Sequence, residues 1–225
     1  MVKRVLRDNG LGLFFGVLFL AALVGQALAG HAGYNEQQLA HGEPAVSFGE
    51  FLTSSEFVVD VAENWQSEYL QFFLFILATV WLIQRGSPES KMPKEIGGET
   101  DEQQQLGAHT TAGAPAWAKT GGWRTRVYSN SLGLMMAGLF LLSWLAQSLA
   151  GVVVYNNDQT THQQEQLSWL QYLASPDFWD RTLQNWQSEF LAIGSMVVLS
   201  IYLRQRGSPE SKPVGAPHVT TDETG

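Results

Sequence analysis

Cysteine is missing from all 225 residues, which removes disulfides, thiolate metal sites and thiol nucleophiles from consideration. The five histidines form no HExxH and no close pair. His41 and His162, with His31 and Glu36 as further ligands, therefore make only the weakest case for a metal, and no metal is expected. No Ser/His/Asp motif occurs, and the glycines before Trp123 are not a phosphate-binding loop, so neither an enzyme nor a cofactor is expected. Basic side chains number 13 against 21 acidic ones and form no stripe, which argues against nucleic acid. Charged residues are scarce at 15%, and that scarcity is concentrated in a few places.

Residues 11–29 and 132–150 each give 19 positions without a charge, about 28 Å as helix and enough to cross a bilayer. Residues 72–83 and 190–203 are shorter. Counted from Trp65 and Trp186 they reach about 19 residues, with an aromatic ring at the interface, which puts Glu68 and Glu189 at the outer membrane edge. If all four segments span, Lys3, Arg4, Arg7, Arg85, Lys91, Lys94, Lys119, Arg124, Arg126, Arg204, Arg206 and Lys212 share one side and Arg181 alone takes the other. That is the distribution of a four-span protein with both termini cytoplasmic. The basic start, apolar run and Ala27-Leu28-Ala29 also resemble a cleavable signal. The same pattern at Ser148-Leu149-Ala150, deep in the chain, has no such use, so a retained span is expected.

Setting each residue from 2 to 91 beside the residue 121 positions later gives 34 identities in 90 pairs without a gap. Asn64-Trp65-Gln66-Ser67-Glu68 returns as Asn185-Trp186-Gln187-Ser188-Glu189, and QRGSPESK occupies both 84–91 and 205–212. This reads as a tandem duplication of a two-span unit whose copies are related by a pseudo-twofold axis along the membrane normal. The fold class is an all-α membrane protein, four transmembrane helices in two tandem hairpins packed as a four-helix bundle. Residues 1–91 form the first repeat, 92–122 a flexible cytosolic linker, 123–212 the second repeat and 213–225 a disordered tail.

Within each unit the signals are local. Asn9 is placed to cap the first span, and Gly12 with Gly16, or Gly133 with Ala137, give the small-xxx-small spacing of a close helix contact. Residues 47–53 and 168–174 read as short amphipathic helices, with Phe48, Phe51, Leu52, Trp169, Leu170, Tyr172 and Leu173 set against the membrane surface. Ser175-Pro176-Asp177 opens the following helix, as Ser54 or Ser55 with Glu56 does in the first copy. That helix is expected to continue to Gln205, where Gly207 and Pro209, like Gly86 and Pro88, stop it.

The DNGLGL start, the GQALAG end of the first span, the YNE that follows, NWQSE and RGSPESK together resemble an uncharacterised bacterial family of small membrane proteins, known only as a domain of unknown function. The resemblance leaves out only the linker and tail. It implies a bacterial cell (inner) membrane location and supplies no activity.

On a helical wheel Asn64, Ser67, Glu68 and Gln71 share a face, as do Asn185, Ser188 and Glu189, while Gln66 lies off it. A polar face entering a membrane should meet protein or water. Gln26 and Glu68 lie at the same depth, about 26 Å from the cytosolic boundary. Gln26 is therefore expected to donate to Glu68, and Gln147 to Glu189, as ties within each hairpin; an ion or proton site is the alternative. In the octets the first half is accounted for by anchoring and helix termination. The second half is not, so Arg85, Lys91, Arg206 and Lys212 are candidate contacts for anionic lipid or a partner. The expected function is a non-enzymatic membrane scaffold or interaction protein whose partners are the bilayer, a membrane or cytosolic protein and a second copy. The alternative is a small channel or transporter using Glu68 and Glu189.

Overall fold

A computed structural model describes residues 6–223; Lys3 and Arg4 of the basic start lie outside the described residues. Among the described residues there is no strand. The principal helices are α1 (Gly10–Ala40), α2 (Phe48–Leu52), α3 (Ser55–Trp81), α4 (Ala116–Thr120), α5 (Gly122–Ser129), α6 (Ser131–Thr161), α7 (Trp169–Leu173) and α8 (Pro176–Tyr202). The bounds of α1, α2 and α3 reappear in α6, α7 and α8 shifted by 121 residues. Among the described residues, only α1 and α6 are long and apolar enough along their length to cross a membrane. In α3 and α8 the acidic and amide residues of the first half dilute the apolar second half.

The chain divides into two compact units, Met1–Val61 with Ala146–Trp169, and Ala62–Leu145 with Leu170–Gly225. In the first, α1 leaves nearly all of its apolar surface uncovered, with Leu11, Val17 and Leu20 more than half exposed and Ala27 buried. Asn9 precedes α1, but its side chain caps no helix N–H, contrary to expectation. The chain leaving α1 is pinned by Asn35. Its amide donates to the Val46 carbonyl at 3.1 Å and its oxygen accepts the Val46 N–H at 2.8 Å, satisfying both backbone groups of one loop residue. Asn156 does the same to Leu167, with both distances 2.8 Å.

The same unit shows why α2 is anchored. Ser47 and Glu50 form a reciprocal capping box at its start, the two-way arrangement that satisfies orphan N–H groups. Phe51, expected on the membrane surface, is instead buried, its ring 5.7 Å from those of His31 and Tyr34 and 5.4 Å from Phe57. The ring comes so close to Gly30 that a β-carbon there would stand 2.9 Å from it. Burying an aromatic ring outweighs laying it at an interface where it stays half wet.

In the second unit, Tyr172 of α7 is likewise buried rather than surface-lying, against Phe178. Ser175 caps α8 by accepting the Phe178 N–H, with Pro176 and Asp177 in the first turn, as expected. Trp144 stacks between Phe140 and Phe178, with centroids at 5.4 and 5.9 Å. α8 ends at Tyr202 and α3 at Trp81, before the octets. Gly86 and Gly207 then take φ of +90° and +81°, a left-handed turn that side chains resist. The linker carries short helical pieces: Thr125 of α5 donates to the Trp117 carbonyl of α4 at 2.6 Å.

Candidate functional site

The NWQSE stretches lie within α3 and α8, and Gln66, the residue the wheel sets aside, joins these helices. Gln66 is fully buried. Its side-chain oxygen accepts the Trp186 indole N–H at 2.7 Å, and its amide donates to the Glu63 carbonyl at 3.1 Å, leaving no orphan in a dry site. Ser67 is also buried and donates to the Asn64 carbonyl at 2.9 Å; Ser188 donates to the Asn185 carbonyl at 2.8 Å. Both hydroxyls are thus satisfied within their own helices. The Asn185 amide donates to the Arg181 carbonyl at 2.9 Å.

The expected carboxylate ties are corrected. Glu68 is exposed, so it is not the buried acceptor the depth argument required. Gln147 is 1% exposed, yet neither amide atom has a hydrogen-bond partner, and Gln26 is half-buried. Glu189 is half-buried and feels the charge of Glu68. The structure thus brings the two repeat-related carboxylates into electrostatic reach of each other, and the amides are not bonded to them.

Arg181, the lone cation expected outside, holds the outer end of the same helices. It lies 3.4 Å from Asp177 on its own helix and 3.7 Å from Glu63 of α3. Tyr172 donates to the same Asp177 oxygen at 3.2 Å, and burial pushes its phenol above the ordinary value. Charge partners on two helices give Arg181 a bracing role.

At the other end the octets interlock. Ser90 accepts the Gln84 N–H at 2.8 Å and Ser211 the Gln205 N–H at 2.9 Å. The second half of each octet therefore closes a turn on its own first residue. Lys212, expected to reach lipid or a partner, is instead 1% exposed. Its ammonium donates to carbonyls of Gly86 at 2.6 Å, His218 at 2.8 Å and Thr220 at 3.1 Å. An ammonium carries three donors, and backbone carbonyls here replace water for each. Burial, with Arg204 nearby, holds its pKa below the usual lysine range. The chain beyond 212, expected to be disordered, is drawn back by this cage: Thr221 Oγ1 accepts the Gly86 N–H at 2.9 Å and the Asp222 N–H donates to Ser87 at 3.3 Å.

The other three octet cations differ. Lys91 donates to the Gly97 carbonyl at 3.1 Å and pairs with Glu99 at 2.7 Å. Arg85 and Arg206 are exposed. Glu89 of the first octet shares a carboxyl hydrogen bond with Glu210 of the second, which with burial and the neighbouring charge raises the Glu89 pKa to about 7. A neighbouring carboxyl and burial both disfavour the charged form of Glu89.

His31 and His218 approach backbone carbonyls. His31 Nε2 stands 2.8 Å from the Val46 oxygen and His218 Nδ1 3.1 Å from that of Ile201. Among the described residues no three His, Asp or Glu side chains gather as a metal set would. What sequence reasoning missed were the partners of Gln66, Lys212 and Glu89, all of them identical in both copies. That identity was the signal available.

The described residues define an all-helical fold in which two helices are long and apolar enough to span a membrane. The chain belongs to the family described as Domain of unknown function (DUF6766), whose model matches residues 2–223. No curated protein and no solved structure matches it.

Proposed function

We propose that this chain is a non-enzymatic membrane scaffold or interaction protein of a bacterial cell membrane, with four spans in two tandem hairpins and both termini cytoplasmic. The observation that carries the reading is how its distinctive polar residues are used. Gln66, Arg181, Glu89 and Lys212 bond to the other copy's helix or octet, so they hold the protein together and present no reacting group. The outward surface offered to others is apolar: α1 is uncovered, and a β-carbon at Gly12 or Gly16 would meet nothing within 4 Å. Such a helix, with a small-residue face, suits a second transmembrane helix. Replacing Gly12 and Gly16 together with Leu tests it. Mild detergent purification followed by mass spectrometry should recover a defined partner or second copy with the natural chain and lose it with the variant; unchanged recovery sinks this face as the contact.

A channel or transporter is the second reading, favoured by the electrostatic reach between Glu68 and Glu189. Liposome ion flux that is lost when both become Gln, with folding intact, would move the assignment there.

A further inference from the structure

A cavity of about 300 Å³ opens where α3 runs into the first octet. Its body is mostly apolar, formed by Phe75, Ala78, Leu82, Ile83 and Val197 with Thr79 among them, and its polar end holds Gln84, Ser87, Glu89 and Ser90. This size and make-up, an apolar slot with few convergent polar groups, is that of a small-molecule site. None of the residues lining it is basic. Of the nearby cations, Lys91 is engaged on Glu99, Lys212 in its carbonyl cage and Arg204 on the Ala216 carbonyl at 3.0 Å, and Arg85 is exposed and does not line the cavity. The charge acting on Glu89 is that of Glu210. Glu89, the acidic residue of the lining, has the second carboxyl of Glu210 beside it, so this end of the slot is acidic and holds no basic partner.

We propose that this cavity binds a small amphiphilic monocation, its apolar body between Phe75, Leu82 and Val197 and its ammonium head against Glu89. Charge complementarity selects this occupant. An anion would face an uncompensated carboxylate, and a neutral alkane or alcohol would leave that charge without a counterion in a partly dry site. Hexyltrimethylammonium has the matching parts, a short apolar chain and a permanent single charge, and is small enough for the volume. The site does not depend on the scaffold reading: it is intramolecular, and its test does not involve partner recovery.

The experiment is calorimetric titration of the full chain in phosphatidylcholine nanodiscs, with empty discs subtracted. Hexyltrimethylammonium should bind at one saturable site, hexyl sulfate and hexanol should not, and Glu89→Gln should weaken binding at least tenfold. Ala78→Phe fills the slot while leaving both carboxyls, and should abolish binding with helical content unchanged, so the idea stays testable if E89Q folds poorly. No saturable heat beyond empty discs, equal binding of hexyl sulfate or hexanol, or unchanged affinity in either folded variant would overturn the proposal.

Discussion

Trp186 donates its indole N–H to Gln66 at 2.7 Å, and these two residues are not counterparts: Trp186 corresponds to Trp65 and Gln66 to Gln187. The signature is repeated, yet its bond is made between different positions of the two copies, with Gln66 fully buried and Gln187 exposed. The difference gives a direct test. Gln66→Leu leaves a partly buried indole N–H without its acceptor and should cost about 1–3 kcal/mol, read as lowered thermal stability in detergent. Gln187→Leu should change stability by less than about 0.5 kcal/mol.

Glu68→Gln is expected to be nearly silent in the same assay. An exposed carboxylate has no buried tie to lose, and removing one of two mutually repelling charges is neutral or mildly stabilising. A large loss of stability would restore the inward tie that the exposure of Glu68 argues against.

The octet glycines should respond unequally. Both hold positive φ, so Gly207→Ala should cost about 1–2 kcal/mol from backbone strain alone. Gly86→Ala adds a collision, because its β-carbon would stand 2.5 Å from the His218 carbonyl oxygen. It should be the more damaging change and should expose residues 213–222 to protease, as should Lys212→Met, which empties the carbonyl cage. Equal behaviour of the two glycine variants would contradict the return of the tail onto Gly86.

The Glu89 and Glu210 pair makes the octet contact pH-dependent. The Glu89 pKa is raised to about 7 in the folded protein against about 4.3 in an unfolded chain. A raised carboxyl pKa contributes stability that is fully present below the unfolded value and disappears as pH rises through the folded one. Thermal stability should therefore fall between about pH 5 and pH 8, and Glu89→Gln, which keeps a donor, should flatten that slope. A slope unchanged in the variant would place the titrating group elsewhere.

Much of the local structure was legible in the sequence, and the reasons are local too. Ser175-Pro176-Asp177 announces a helix start because each residue satisfies or tolerates a terminal N–H, and α8 begins there. Gly86 and Gly207 announce turns because only glycine takes positive φ without strain. Gln66 was missed because a helical wheel gives a direction, and the burial of that direction depends on which helix arrives opposite it. Phe51 and Tyr172 were misplaced for a related reason. Periodicity marks an apolar face without saying whether membrane or protein covers it, and here His31, Tyr34 and Phe178 do. The tail was misread because its composition is that of a linker. Its order comes from Lys212, whose carbonyl partners are distant in sequence or only created by the fold.

Site-directed labelling tests the four-span account most directly. The chain has no cysteine, so each introduced thiol is the only one. Cysteine placed at Glu43, at Glu165 and at Gln103 is treated in intact cells with a membrane-impermeant maleimide. The account predicts labelling at 43 and 165 from outside and at 103 only after permeabilisation. Labelling of 103 from the same side as 43, or of 43 and 165 from opposite sides, would contradict it.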